Sequence, residues 1–414
     1  VGETMVRAFH RAAQGVPGPV AVVLPEDLLE EAASGRLPAP YPVHRPQASP
    51  DDAESVMVRL ERSNRPIVMA GGALRSPRGV AALKHFAAAH GVPVACTWKN
   101  QDLFDNSSPL YAGHVGVGTP PAHRKALAQA DLVIACGTRL GDIATQNYSF
   151  PRAPEPDQRL VHVYPDAEPI GAVFRTDLGI IADPAVLLED LARRPSTTGP
   201  EREAWADELG AFIDDFVEFE TRAPADGLDF GEVVTAIAGQ APADAIVITD
   251  AGNFSSWIHR HWRLSPVNLM LGAIGGAMGF GVPAGVAAGL VAPERTAIVV
   301  VGDGGMLMTG QEIATAVATG AAPKIFLSNN HSYATIRTHQ EKHFPGRVSG
   351  TKLTNPDFTA WARSFGVHAV TIRMGDDVAA KVAEALAHPG AVVVEVHSSL
   401  EAISAFTTIA KLRG

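Results

Sequence analysis

The chain has 414 residues, 46% of them apolar and 19% charged, and a formal net charge of −10, with a mean hydropathy of +0.07. This composition excludes a disordered chain, and at roughly 100–200 residues per domain it suggests two or three packed domains. The acidic balance and the lack of any basic block exclude nucleic-acid binding by a charged groove, and no apolar run approaches the ~18 residues that span a bilayer.

The first segment, TMVRAFHRAAQG, reads as an amphipathic helix from Thr4 to Gln14, ended by Gly15, and PGPVAVVLPED as a short strand at Val20–Leu24. The chain opens without an initiator Met, and with no basic n-region and no h-region the expectation is that it carries no signal peptide. A helix and one strand do not make a domain. They are either an extra layer on the next domain or, the sharper expectation, residues 1–30 are the tail of a larger domain. Residues 31–50, rich in Pro and Ala, read as a linker.

Strand and helix patterns then alternate. Apolar strands are expected at Pro66–Ala70, Val92–Thr97, Leu132–Gly137, Leu160–Tyr164 and Gly179–Ala182, with helices at Val80–His90, Pro121–Gln129 and Pro184–Arg193. Near-continuous apolar strands separated by helices mean a parallel sheet covered on both faces. Residues 51–193 form one such domain. Cys96 and Cys136 both sit inside its apolar runs. They read as small buried hydrophobes, and two cysteines make no disulfide framework, which fits a reducing cytoplasm.

Residues 194–228 hold a Pro/Ser/Thr linker and a long polar helix, Glu201–Arg222. A second α/β set fills 229–414, with strands at Ala245–Thr249, Thr296–Gly302, Lys324–Ser328, Val367–Ile372 and Ala391–Val396. Its helices are expected at Phe230–Gly239, Gly281–Leu290, Gln311–Thr319, Pro356–Phe365 and Asp376–Ala387. The fold class is thus α/β, with two doubly wound parallel-sheet domains.

Ligands of open parallel sheets bind beyond the carboxyl ends of the strands. After the second set's strands come Asp250-Ala-Gly252-Asn253-Phe254, Gly302-Asp303-Gly304-Gly305-Met306 and Asn329-Asn330-His331-Ser332-Tyr333. A glycine cluster, from Gly272 to Gly281, lies between the first two. Asp303 offers a carboxylate oxygen, Asn330 an amide oxygen and Ser332 a backbone carbonyl. Hard oxygen donors from two loops, completed by waters and phosphate, describe a Mg²⁺ site, and the glycines beside Asp303 let backbone amides approach a phosphate. Taken singly, GDGG and NN read equally as tight turns.

Gly-Asp-Gly at 302–304 and Asn-Asn at 329–330 enclose 24 residues, enough for one helix and one strand. That pair resembles the thiamine diphosphate enzyme signature. GGAMGFGVPAGVAAGL, AIVVVGDGGMLMTGQEIATAVATG and KIFLSNN resemble the cofactor domain of the acetolactate synthase-like family. RPIVMAGGALRS, ADLVIACGTRLGD and HVYPDAEPIG resemble its middle domain, and GVPGPVAVVLPED the end of its pyrimidine-binding domain.

The resemblance implies that Asp303, Asn330 and the Ser332 carbonyl hold Mg²⁺ on the diphosphate. Gly252, Asn253, Phe254, Gly302, Gly304, Gly305 and Met306, with amides near Tyr333 and Ala334, would line the phosphate and thiazolium side. The Gly276 carbonyl would accept from the cofactor's 4′-amino group. Met278 would meet the pyrimidine ring through its amide, and its side chain, the one catalytic candidate, would wedge the cofactor into a bent form. The implied reaction is decarboxylation of a pyruvate-like 2-oxo acid with carboligation. The alternatives are a decarboxylase or aldehyde lyase on the same cofactor, or a non-catalytic nucleotide-binding module.

The family's activating glutamate has no match here, since Glu3 and Glu26 stand in the wrong segments. The resemblance therefore implies a missing pyrimidine-binding domain, and a homodimer or homotetramer. By itself the chain is expected to retain cofactor weakly or not at all and to be inactive. Relatives sometimes bind FAD in the middle domain; Gly71, Gly72, Thr138 and Arg139 leave FAD open. Two other constellations carry less. His339-Gln-Glu-Lys-His343 has the histidine spacing of a zinc helix, but Gln340 stands where HExxH requires Glu. His259-Arg-His261, between Trp257 and Trp262, reads as a surface helix end or as a substrate-facing pair.

Overall fold

The computed structural model describes all residues except 33, 34, 36–38, 40 and 41. Part of the expected 31–50 linker therefore lies outside the described residues. The chain divides into two compact units, residues 1–97 with 124–207, and residues 98–123 with 208–414. In chain order the strands are β1 (Pro66–Ala70), β2 (Val94–Thr97), β3 (Tyr111–Val115), β4 (Leu132–Cys136), β5 (Arg159–Tyr164) and β6 (Leu178–Ile181). They continue as β7 (Ile246–Thr249), β8 (Leu269–Gly272), β9 (Ala297–Gly302), β10 (Lys324–Asn329), β11 (His368–Ile372) and β12 (Val392–His397).

In the first unit β2, β1, β4, β5 and β6 hydrogen-bond in that order, all parallel. Every residue of β1, β2 and β4 is buried, as strands covered on both faces must be. Ser49 and Asp52 form a reciprocal capping box at the start of helix Pro50–Glu61, a start signal inside what the sequence reads as linker. Helix Pro77–His90 begins at a Ser76 cap and ends in left-handed Gly91, with φ +60°. Gly71 is where β1 meets the end of β4. A Cβ there would lie 2.6 Å from both the Gly137 carbonyl and Thr138, so this glycine serves close strand packing. Both cysteines are fully buried and free, and burial pushes the Cys136 thiol up.

Residues 20–24 carry no strand, against the sequence expectation. A strand needs a neighbour's ladder of hydrogen bonds; among the described residues none pairs with this segment, and Val23 is 87% exposed. The first helix spans Gly2–Ala13. The long polar helix runs from Pro200 only to Val217.

In the second unit the sheet order is β11-β12-β10-β9-β7-β8, all parallel. Alternate residues feed opposite cores. Ile298 and Val300 of β9 join Phe230, Val233, Phe326 and Val394 on one face, whereas Val299 and Val301 join Ile248, Leu327, Val393 and Phe358 on the other. From β7 the chain goes first to β8 on one side and then to β9 on the other. The order thus reverses between β7 and β9, and that crevice at the carboxyl ends is where a doubly wound sheet places its ligand. Among the described residues no helix is long and apolar enough to cross a membrane.

Candidate cofactor and metal site

β9 ends at Gly302, and helix Asp303–Thr309 begins at once. Asp303 is therefore held at the carboxyl edge of the sheet, 3% exposed. Its Oδ1 accepts the Gly304 amide at 2.9 Å, and its Oδ2 accepts the Asn355 side-chain amide at 2.9 Å. Burial raises its pKa above the usual carboxylate value, against the opposing pull of the Asn355 and Gly304 donors and of His331.

The loop after β10 comes up beside it. Asn329 Oδ1 accepts from the same Asn355 amide at 2.8 Å, and Asn329 donates to Glu395 of β12 at 2.7 Å. Asn330 Oδ1 accepts the Ser332 amide at 3.1 Å, closing a small turn. A second segment braces this loop: Tyr333 N–H donates to the Thr351 carbonyl and Leu353 N–H to the His331 carbonyl. Asn355, the bridge between Asp303 and Asn329, went unnoticed in the sequence, where Asn-Pro reads only as a helix start.

The glycines make room for specific neighbours. A Cβ on Gly252 would meet the Phe254 ring at 2.4 Å, and one on Gly302 would meet it at 2.8 Å. On Gly304 it would lie 2.5 Å from Tyr333 and 3.2 Å from the Met278 methyl, and on Gly305 2.7 Å from Asp250 Oδ2. Gly304 is thus where Met278 and Tyr333 converge. Gly276 has φ +73° with open space around it, a conformation that favours glycine. Met306 packs into the core. Asn253 is held by the helix Ala334–His343, accepting from Thr335 at 2.9 Å and donating to Thr338 at 2.8 Å.

Asp250, at the end of β7, receives the Gly279 amide at 2.9 Å and the Gly281 amide at 3.3 Å. Burial raises its pKa, and these amides with that of Ala251 oppose the rise. It thereby fixes the carboxyl end of the glycine loop. The loop's sequence pattern contains no hint of this.

The remaining candidates take structural places. Glu341, between His339 and His343, has a fully buried carboxylate paired with Arg337 and Arg413. His259 closes a helix, Ser255–His261, as expected, but the end is not a surface one. The helix drives Trp257 and Ile258 into the core, and the 6% exposed His259 bonds through Nδ1 to Gln101 at 2.7 Å. In the first unit Gly71 and Thr138 pack on each other, and Arg139 is exposed.

Glu341 also ties the helix beside the site to the C-terminal helix Ile409–Arg413. Its hydrogen bonds with Arg413 foremost, then with Gly346 and Arg337, lower its pKa from 4.5 to about 2. A depressed carboxylate stabilises above its unfolded value and loses that contribution as pH falls through its folded one. The protection factors of residues 409–413, exchange rates corrected for their intrinsic pH dependence, are expected to fall as pH drops from 4.5 to about 2, and Glu341→Gln to show the same loosening at neutral pH. Unaltered protection in the variant would contradict this.

The donor set suits a hard cation. Among the described residues, Asp303 faces amide donors with no cationic side chain among its hydrogen-bond partners, and Ser332 Oγ and Asn355 Oδ1 have no hydrogen-bond partner. Among the described residues no three His, Cys, Asp or Glu cluster for a softer metal. One carboxylate with amide and carbonyl oxygens fits a hard divalent cation such as Mg²⁺.

Residues 250–396 match the family described as thiamine pyrophosphate enzyme, C-terminal TPP binding domain, and residues 53–191 match thiamine pyrophosphate enzyme, central domain. The chain therefore belongs to the thiamine pyrophosphate (thiamine diphosphate) enzymes and carries two of their domains. Among its relatives, the acetolactate synthase large subunit of Parasynechococcus marenigrum is 32% identical over 410 residues, covering 96% of this chain and 65% of the relative. The acetolactate synthase isozyme 2 large subunit of Escherichia coli is 29% identical, covering 95% of this chain and 70% of the relative. The sulfoacetaldehyde acetyltransferase of Castellaniella defragrans is 25% identical, covering 93% and 68%. The chain thus spans about two thirds of the length of these relatives.

Proposed function

We propose that this chain supplies the diphosphate-binding half of a thiamine diphosphate- and Mg²⁺-dependent enzyme. The enzyme would decarboxylate a pyruvate-like 2-oxo acid and join the remaining fragment to a second carbonyl compound, as an acetolactate synthase does. The observation that carries this reading is the buried Asp303 carboxylate at the sheet switch point, held by amide donors and set against the loop of Asn330 and Ser332. Asp303, the Asn330 side chain and the Ser332 carbonyl would hold Mg²⁺, and the amides of Gly304 and Gly305 would face the diphosphate. The bound cofactor supplies the electron sink that lets the substrate carboxylate leave as CO₂.

The residues of the chain bind and orient. Gly276 would present its carbonyl to the pyrimidine's amino group. Met278, whose methyl rests over Gly304, would support the bent cofactor. Ile274 at 84% exposure, with Leu307 and Met308, leaves apolar surface near the site, which supports coverage by a pyrimidine-binding domain in a homodimer or homotetramer. Acetyl transfer to another acceptor is a second reading, favoured by the acetyltransferase relative.

The test is product analysis with pyruvate, thiamine diphosphate and Mg²⁺ in the presence of a pyrimidine-binding domain. A carboligation product is expected; absence of CO₂ release from every 2-oxo acid tried would overturn the reading. Met278→Ala should lower kcat at least about tenfold while changing cofactor affinity by no more than about threefold, because the diphosphate anchor lies elsewhere. Equal losses in both would remove the supporting role.

A further inference from the structure

The loop from Ala273 to Gly281 carries both Gly276 and Met278, and residues 274–278 are exposed. Its two ends are gripped by buried groups of opposite charge. At the carboxyl end, Asp250 holds the amides of Gly279 and Gly281. At the amino end, the Ala273 carbonyl accepts from the Gly276 amide at 3.0 Å and from the Lys99 ammonium.

Lys99 is built for that place. It is 4% exposed. Its backbone adopts φ +62°, a left-handed conformation that a non-glycine residue holds only where its surroundings enforce it. A Cβ on Gly272 would come 2.9 Å from its Cδ, so the stem lies directly on the chain before the loop. The ammonium stands 4.3 Å from the Trp98 ring centroid, a favourable cation–π distance.

We propose that Lys99 and Asp250 are positioning residues, the two ends of a clamp that sets the conformation of the 273–281 loop and hence the place of Met278. The consequence for cofactor binding rests on the function proposed above; the clamp itself does not.

The charged and titratable groups that face Lys99 are Asp250 from the end of β7 and His259 from the helix Ser255–His261, with His114 of β3 behind it. Burial holds Lys99 down to about 8, with Asp250 opposing. His259 and His114 are pushed far below neutrality by burial, and Asp250 is a carboxylate. Above neutral pH, Lys99 is thus the member of this group that changes charge. Its grip on Ala273 is charge-assisted below its own pKa and reduced to that of a neutral amine above it.

The Met278 methyl reports loop position without any cofactor, because it packs over Gly304 beside the Tyr333 ring. In the chain labelled with [methyl-¹³C]methionine and assigned with Met278→Leu, the Met278 signal is expected to titrate between about pH 7 and about pH 10, with a midpoint of about 8. Lys99→Met should leave the signal flat at the alkaline position and change thiamine diphosphate affinity by no more than about threefold, as expected of Met278→Ala; Lys99→Arg should hold it near the acidic position. A wild-type signal that does not move, or a Lys99→Met signal that still titrates, would overturn the clamp. If Lys99→Met does not fold, the wild-type titration decides alone. A titrating Met278 in a chain that binds no thiamine diphosphate even with a pyrimidine-binding domain present would reject the proposed function and leave the clamp standing.

Discussion

Asp303→Ala should abolish Mg²⁺-dependent thiamine diphosphate binding, by at least about a hundredfold, while the protein remains folded. The two expectations come from one fact. A carboxylate whose folded-state pKa is raised by burial is penalised in its charged form. Its stabilising contribution is present at low pH and is lost as pH rises above the unfolded value. At neutral pH the fold therefore gains nothing net from the Asp303 charge, and its removal costs little beyond the bonds from Gly304 and Asn355. The metal, in contrast, loses the single carboxylate among its proposed ligands, and no neighbour in GDGG carries another. Cofactor titration with thermal melts checks both. Undiminished Mg²⁺-dependent affinity would sink the metal assignment.

Asp250→Ala should act first on the fold. Its carboxylate accepts from the buried amide of Gly279 and from those of Gly281 and Ala251, and these would be left without a partner. Each such loss costs about 1–3 kcal/mol, so about 3–9 kcal/mol in all, or a fall in melting temperature of roughly 6–36 °C for a unit of this size. Asp250→Asn keeps one oxygen for the Gly279 amide and should recover part of the loss. A melting temperature within about 1 °C of wild type in Asp250→Ala would refute the role given to this carboxylate.

The sheet strands were the most legible part of the sequence. Runs such as AIVVVG and KIFLSN are apolar throughout because both faces are covered, and their ends fall within a residue of expectation. What escaped was local sequence overridden by tertiary packing. GDGG reads as a turn because glycine is a poor helix former; it is glycine-rich at the start of the helix Asp303–Thr309 because Phe254, Tyr333 and Asp250 occupy the space that side chains on Gly302, Gly304 and Gly305 would need. The helix Ala334–His343 has no apolar stripe and escaped for that reason. β3, YAGHV, interrupts its apolar pattern with Gly and His, and β8, LMLG, is only 4 residues long. Conversely, Val20–Leu24 has strand composition and no ladder.

In the site, the residues singled out by spacing, Asp303 and the Asn330–Tyr333 loop, lie together at one sheet edge. The supporting roles of the residues that hold them, and that hold the 273–281 loop, were invisible. Asn355, Asp250 and Lys99 act on groups 26 or more positions away, through contacts that exist only once the sheet has formed.

Calorimetric titration of the chain with thiamine diphosphate, once with saturating Mg²⁺ and once with chelator, tests the central claim most directly. The geometry predicts weak binding, with a Kd on the order of millimolar, that appears only with Mg²⁺ and vanishes in Asp303→Ala. Binding that ignores the metal, or that survives the loss of Asp303, would contradict the account.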